Sequence, residues 1–468
     1  MATRLIFLIL LWKSKLISFL ISFLCIGQAS NFPGKLALLF QKDILKNFSF
    51  SKDCKLIFIT GTNGKSTTSG LLANFLSLSG KKIFYNKSGA NLLSGVVTTL
   101  CHYSNLFGTI KADFIILETD EATLPLLTTQ LKPALIAVTN FFRDQLDRFG
   151  ELDTAVKLIE RGINNSNHDL ITILNADDPR VAFLNINTKK IFYGFEKTTF
   201  EGFSSVNNNK DEALDWLEDP EEATNCPKCN ESLNYKIKFL AHLGDYECLK
   251  CGTKRPNRDF EISNYKADNL ATNLDIVFDN HRNNFFTYMI GTFNLYNVLC
   301  AISIAKTVSN ITNTQIQKGF QSYSTIFGRG EKTSLNNKIA WIYLIKNPTG
   351  TTEVLKTLLN IKKARFVIGV NDNLADGRDV SWLWDARFDL LSEHNKRIFV
   401  TGKRALDMGL RLKYSNIDSK QIYISENIEK TINHAISQIE KDETLYILPT
   451  YTVLLEMQKK GLCKKQSL

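Results

Sequence analysis

Residues 55–68 read KLIFITGTNGKSTT, and this stretch decides the architecture. The run KLIFIT (55–60) is apolar and rich in isoleucine, the pattern of a buried strand. A loop with two glycines follows, and a helix is expected to begin near Lys65. Gly61 and Gly64 allow a tight turn, so the N–H groups of the loop through Thr62 and Asn63 can face phosphate oxygens. The helix N-terminus adds a partial positive charge at the same point. Lys65 can reach the outer phosphates, the Ser66 hydroxyl can ligate Mg²⁺, and Thr67 completes the motif. The spacing is GxxGKS, shorter than the common GxxxxGKS. Strand context, lysine and serine together favour a nucleotide site over an ordinary strand-to-helix turn.

Further apolar runs alternate with helical stretches on the C-terminal side: DFIILE (113–118), ALIAVT (134–139) and LITIL (170–174). Such alternation predicts a mostly parallel sheet covered on both faces. A polar stretch at about 204–225 leads into a cysteine-bearing segment. A second α/β set starts near 338, with IAWIYLI, ARFVIGV, KRIFVTG and TLYILPT as its strands. The expected organisation is an N-terminal apolar segment (1–50), a central parallel-sheet ATP-binding domain (51–325) with an insert at about 222–258, and an α/β domain of Rossmann-like type (326–468).

The 468 residues are 44% hydrophobic and 22% charged, which excludes general disorder and collagen-like repetition. The net charge of +10 suits an anionic partner and does not by itself argue for nucleic acid. Nine cysteines in so long a chain do not make a secreted disulfide scaffold. Four fall in two pairs, CPKC (226–229) and CLKC (248–251), separated by eighteen residues. This spacing reads as two knuckles closing a four-thiolate Zn²⁺ cage from Cys226, Cys229, Cys248 and Cys251. With no open coordination position, the site should be structural. Its apparent binding energy of roughly 10–16 kcal/mol would fold a ribbon that has little core of its own. The rival reading, a nucleic-acid-binding ribbon, rests on lysines that serve equally well as a solvated face.

The N-terminal run LIFLILLWKSKLISFLISFLCI (5–26) is interrupted by Lys13 and Lys15. A secretory signal, a membrane span and a helix or helix pair lying in the membrane interface all compete for it. ATP chemistry disfavours secretion, so the interfacial reading is preferred, with Trp12 and the lysines at headgroup level. A helix packed on the body remains open. The expected location is cytoplasmic, peripheral at the inner face of the plasma membrane.

GTNGKST resembles the ATP loop of the Mur ligase family, which joins amino acids to carboxylates through an acyl phosphate. Other segments match that family in order. Glu118 in ILETDEA sits where the family places a Mg²⁺-binding carboxylate. TNFFRDQLDRFGELD (139–153) supplies Asn140 and Asp144. GTFNLYN (291–297) supplies Asn294 and Asn297 as nucleotide contacts, and FGRGE (327–331) supplies Arg329 as a phosphate contact. The ribbon insert, together with KNPTGTTEVL (346–355), VNDNLADGRDVSWLWDARFD (370–389), TGKRALDMGLRLKY (401–414) and ILPTYTVLLEM (447–457), is similar to the MurT-like branch, synthetase subunits of lipid II isoglutaminyl synthase. Gln145 stands where peptide-forming relatives carry a histidine.

This resemblance implies ATP-dependent amidation of the D-glutamate α-carboxylate in the lipid II stem peptide. Lys65 and Glu118 would serve the reaction, and ATP, Mg²⁺ and Zn²⁺ would be bound. Ammonia would come from a GatD-type glutaminase subunit in a heterodimer, whose histidine Asp379 of DGRD would orient. From the residues alone Asp379 reads equally as a turn or helix-capping residue. The alternative function is a stand-alone Mur-type amino acid ligase.

Overall fold

The computed structural model describes residues 2–23, 31–86, 90–142, 152–167, 169–196, 225–267, 271–323, 329–336, 338–359, 363–394, 396–440 and 443–463. Two helices, α1 (Ala2–Phe23) and α2 (Phe32–Phe40), precede β1 (Lys55–Thr60), α3 (Lys65–Ser77), β2 (Ile83–Tyr85), α4 (Leu93–Tyr103), β3 (Phe114–Glu118), β4 (Leu135–Val138), α5 (Leu152–Asn164), β5 (Ile171–Asn175) and β6 (Lys189–Phe195). The hairpin β7 (Asn234–Leu240) and β8 (Leu243–Glu247) follows. Then come β9 (Phe260–Ala267), β10 (Thr272–Phe278), β11 (His281–Thr287), α6 (Thr292–Val308) and α7 (Asn313–Ser322).

These strands build a nine-stranded sheet in the order β11-β10-β9-β6-β5-β4-β1-β3-β2. It is parallel from β2 through β9, and β10 and β11 extend it as antiparallel strands. The four runs expected from apolar patterning all form strands of this parallel core. Their isoleucine-rich, continuously apolar character follows from burial on both faces. In β1, Ile57 and Ile59 pack toward α3 and α6, while Leu56 and Phe58 pack toward α1, α4 and α5. This is the two-residue alternation of a strand between two helical layers.

A second sheet holds β12 (Arg329–Leu335), β13 (Lys338–Tyr343), β14 (Ala364–Gly369), β15 (Ile398–Thr401), β16 (Ile422–Ile424) and β17 (Thr444–Pro449), in the order β12-β13-β17-β14-β15-β16. Only the β12–β13 pair is antiparallel. Helices α8 (Pro348–Leu359), α9 (Ala405–Lys413), α10 (Ile428–Ser437) and α11 (Tyr451–Lys459) accompany it. The chain is therefore α/β throughout, with two mostly parallel sheets.

The N-terminal segment packs on the body of the protein, the alternative left open by its sequence, and keeps an apolar outer face. It forms one continuous helix with one face in the core: Phe7 and Leu11 are fully buried, and Phe7 packs edge-on against Phe48. Lys15 turns inward and donates to the carbonyls of His102 (3.3 Å) and Ser104 (2.6 Å) rather than standing at a headgroup level. The Trp12 indole N–H donates to the Leu106 carbonyl at 2.9 Å. Leu5, Ile9, Leu16, Phe19 and Leu20 on the opposite face remain exposed. Among the described residues no helix is long and apolar enough to cross a membrane.

Phe7→Ala should cost about 3–5 kcal/mol in denaturant unfolding, because it opens a cavity in a closed core. Leu16→Ala, on the exposed face, should stay within about 0.5 kcal/mol. Equal effects would contradict the observed orientation of α1.

Candidate nucleotide and metal sites

Parallel pairing places β1 between β3 and β4, with Ile59 opposite Glu118 and Thr60 opposite Val138. The loops leaving all three strands therefore emerge at one edge, where open parallel sheets bind ligands. The loop 61–64 is held in shape from β4. The Thr62 N–H donates to the Asn140 carbonyl (2.9 Å) and the Asn63 N–H to the Asn140 side-chain oxygen (2.9 Å). Gly61 (φ +113°) and Gly64 (φ +87°) adopt backbone conformations that L side chains avoid. Gly64 is doubly constrained, because a Cβ there would lie 2.0 Å from the Asn297 side-chain oxygen. Asn297 in turn donates to Asn294 (3.4 Å), which donates to the Ile290 carbonyl (2.8 Å).

Lys65 opens α3 and is buried, with its ammonium donating to the carbonyls of Gly61 and Thr62 (3.2 Å to the latter). The Ser66 hydroxyl donates to a Glu118 carboxylate oxygen at 2.6 Å. The backbone at Glu118 is fixed by a two-way bond with Asn86, at 2.7 and 2.8 Å. Asp120 and Glu121 are buried on the same loop. Burial raises the Glu121 carboxyl above the usual range, with the Lys65 ammonium opposing that shift. Glu118, Asp120 and Glu121 line one cavity, and the Ser66–Glu118 pair offers adjacent oxygen donors of the kind a hard cation such as Mg²⁺ takes.

These groups line a cavity of about 380 Å³, which Asn294 and Asn297 also reach. The second sheet's segment contributes as well. The Lys346 ammonium lies 3.4 Å from the Thr62 carbonyl, and the Asn347 amide donates to the Asn63 side chain at 3.1 Å. The structure thus brings together Thr62, Asn63, Gly64, Lys65, Ser66, Thr67, Glu118, Asn294 and Asn297 around the cavity, with Gly61 behind them accepting from Lys65. Asp144, Gln145 and Cys25 lie outside the described residues. Arg329 opens β12, but its side chain is not among those described. Asp379 is exposed and is not among the residues lining this cavity, although Asp376 and Trp382 are, and its carboxylate accepts the Ser381 N–H at 2.8 Å, the geometry of a turn residue.

Sequence reasoning missed Asp120, Glu121, Lys346 and Asn347. The ETDEA and KNPTG segments containing them had been noted, but neither has a spacing rule that assigns these side chains a place.

The four paired cysteines converge: one sulfur from each lies within 4.8 Å of the others, with Cys226 and Cys251 at 3.5 Å and Cys229 and Cys248 at 3.5 Å. Zinc–sulfur bonds of about 2.3 Å in a tetrahedron separate the sulfurs by roughly 3.8 Å, so the set fits such an ion. Burial pushes Cys54 up to about 11 and Cys101, Cys300 and Cys463 up to about 12.

This fold and loop define an ATP-loop ligase of the Mur type. The Mur ligase middle domain matches residues 59–226 and the MurT ligase C-terminal domain residues 344–454. The subunit MurT of lipid II isoglutaminyl synthase (glutamine-hydrolyzing) from Staphylococcus aureus is 33% identical over 92% of each chain. The corresponding Streptococcus pneumoniae protein is 32% identical over 93% of this chain and 92% of its own. Among solved structures, a pseudomurein peptide ligase type C from Methanothermus fervidus superposes with a TM-score of 0.63 at 22% identity, covering 89% of this chain and 80% of that one. MurF from Thermotoga maritima in complex with ADP gives 0.61 at 14% identity, covering 91% and 84%. The chain belongs to the MurT family of Mur ligases.

Gly64→Ala should weaken ATP binding by at least about tenfold, since a left-handed backbone costs an L residue about 1–2 kcal/mol and the new methyl displaces Asn297. Titration calorimetry with a circular dichroism check of the fold reads this. Unchanged affinity would show that the loop does not hold the phosphates.

Proposed function

We propose that this chain is the ATP-consuming synthetase subunit of a lipid II amidating enzyme. It would convert the D-glutamate α-carboxylate of the stem peptide to the amide of D-isoglutamine. The hydroxyl–carboxylate pair Ser66–Glu118, set against the glycine loop, carries this reading, together with the extent of the likeness to MurT subunits.

A carboxylate is a poor acyl donor because oxide is a poor leaving group. In the proposed reaction a carboxylate oxygen attacks the ATP γ-phosphorus and ADP leaves. Ammonia then adds to the acyl carbon, the C–O bond breaks, and phosphate departs. The protein's work is positioning and charge neutralisation. Lys65 and the N-terminal end of α3 cradle the phosphates, while the Thr62 and Asn63 N–H groups, donated to Asn140, hold the loop in shape. Asn294 and Asn297 hold the rest of the nucleotide, and Arg329 would be a further phosphate contact. Ser66 and Glu118 would hold Mg²⁺, which when bound neutralises phosphate charge. Zn²⁺ at the four cysteines is structural.

Ammonia requires a glutaminase, and such chemistry needs an activated thiolate. The MurT relatives are named as subunits of a glutamine-hydrolyzing synthase, which supports a GatD-type partner. Asp379, exposed, would orient that partner's imidazole. Trp384 and Tyr414, in edge contact at 5.6 Å, are exposed, as are Leu406 and Leu410, and offer apolar surface for a partner to cover.

The substrate's lipid anchor and the exposed face of α1 support a peripheral position at the inner membrane surface. Residues 1–50 carry six basic side chains (Arg4, Lys13, Lys15, Lys35, Lys42, Lys46) and one acidic (Asp43).

Incubated with the neighbouring glutaminase, ATP, glutamine and lipid II, the chain should convert carboxylate to amide, a loss of about 1 Da by mass spectrometry. Asp379→Asn should abolish the glutamine-driven shift and retain the shift driven by ammonium salt. Full glutamine-driven activity in that variant would refute the role of Asp379, and activity with a free amino acid but no partner would favour a stand-alone ligase. On anionic vesicles the wild type should co-float, and Leu16→Glu with Leu20→Glu should release it. Identical flotation of the two would remove α1 from membrane contact.

A further inference from the structure

The hairpin β7–β8 inverts the usual order of exposure. Hairpin tips normally face solvent. Here the tip is the buried end: Leu240, Ala241, His242 and Leu243 are all closed off from water. The cysteine pairs lie at the other end. Cys226 and Cys229 precede β7, and Cys248 and Cys251 follow β8. The ladder runs from Asn234–Glu247 at the metal end to Leu240–Leu243 at the tip. With a rise of about 3.3 Å per residue, tip and cysteine cluster are roughly 20 Å apart.

The tip is inserted beside the phosphate loop. The His242 ring packs on Phe142 at 4.7 Å, and the Phe142 N–H donates to the Thr62 hydroxyl at 3.1 Å. The Gly244 N–H donates to the Asp177 carbonyl (2.9 Å) and the Tyr246 hydroxyl to the Ala176 carbonyl (3.0 Å). Arg255, four residues past Cys251, forms a buried ion pair with Asp177 at 3.0 Å. The Asp177 carboxylate also accepts the Tyr296 hydroxyl at 2.8 Å, and Tyr296 stands on α6 between Asn294 and Asn297. Leu240, Leu243, Phe142 and Tyr296 contribute apolar parts of the cavity wall, while Glu118, Asp120, Glu121, Glu353 and Asp376 are its acidic lining.

We infer that the inserted hairpin is a wall of the nucleotide cavity, that Leu240 and Leu243 at its tip pack against the purine base, and that metal at the four thiolates fixes the tip so that metal occupancy and nucleotide affinity are linked. This rests on the reading that the cavity takes ATP. The apolar wall beside two asparagines suits a flat, weakly polar heterocycle with hydrogen-bonding edges. The acidic end suits phosphates only with a cation between them. The Arg255–Asp177–Tyr296 chain ties the metal-bearing segment to the helix carrying both asparagines, so a slack hairpin loses its seat on both sides.

The test measures binding of Mg-ATP and of Mg-tripolyphosphate, which lacks the base, to the full-length chain. Zinc content is measured in parallel. Leu243→Ala should retain zinc and weaken ATP by about tenfold, with tripolyphosphate unchanged. Cys251→Ser alters the distant end. It should lose zinc and weaken ATP by a similar or larger factor while sparing tripolyphosphate. Chelated wild type should behave likewise and recover on adding zinc. Unchanged ATP affinity in the zinc-free chain would overturn the inference, as would equal loss of both ligands. A zinc-loaded wild type that binds neither ligand would overturn the nucleotide reading beneath it as well.

Discussion

The register of three parallel strands is the constraint on which the site depends. Because β1 is bonded to β3 on one side and β4 on the other, Gly61–Gly64, Glu118 and Asn140 must leave the sheet at the same edge. A slip of one residue would turn Ile57 and Ile59 from one helical layer to the other and carry Glu118 away from Ser66. Core packing and site geometry are therefore set by the same hydrogen-bond ladder. The sheet does not need to be redesigned to hold phosphate. It needs only glycines where the chain turns back and a carboxylate where the neighbouring strand ends.

That arrangement carries a cost. Glu118, Asp120 and Glu121 are withdrawn from water, and buried carboxylates are unfavourable unless paired or bonded. The Ser66 hydroxyl offsets the cost at Glu118, and Lys65 opposes it at Glu121. A cation and a triphosphate would complete the balance, since one brings positive charge to the carboxylates and the other brings negative charge to Lys65 and Lys346. A site that is most comfortable when loaded is also one whose ligands are drawn into fixed positions, which is what in-line phosphoryl transfer requires.

Much of this was legible in the chain because it is written locally. The parallel core shows as continuous apolar runs, the loop as two glycines at fixed offsets from a lysine and serine, and the metal cluster as paired cysteines eighteen residues apart. What was not legible depends on tertiary contact. Hydrophobicity marks α1 as apolar, but it does not say that Phe7 faces the core while Leu16 faces out, nor that Lys15 finds backbone carbonyls near residue 102. Lys346 and Asn347 reach the phosphate loop from 284 residues away. The seat of the hairpin tip depends on Asp177 and Phe142, which no spacing in the insert reveals. Asp379 is the converse case: its turn geometry is visible in both sequence and structure, and its proposed role lies in a second protein.

The central claim is that a substrate carboxylate is activated by phosphorylation, and oxygen transfer tests it directly. Lipid II labelled with ¹⁸O in the D-glutamate α-carboxylate would be amidated by this chain with its glutaminase partner, and the released phosphate read by ³¹P NMR. One labelled oxygen in each phosphate is the predicted result, because the acyl C–O bond breaks on the carbon side. Amide product accompanied by unlabelled phosphate would contradict the account.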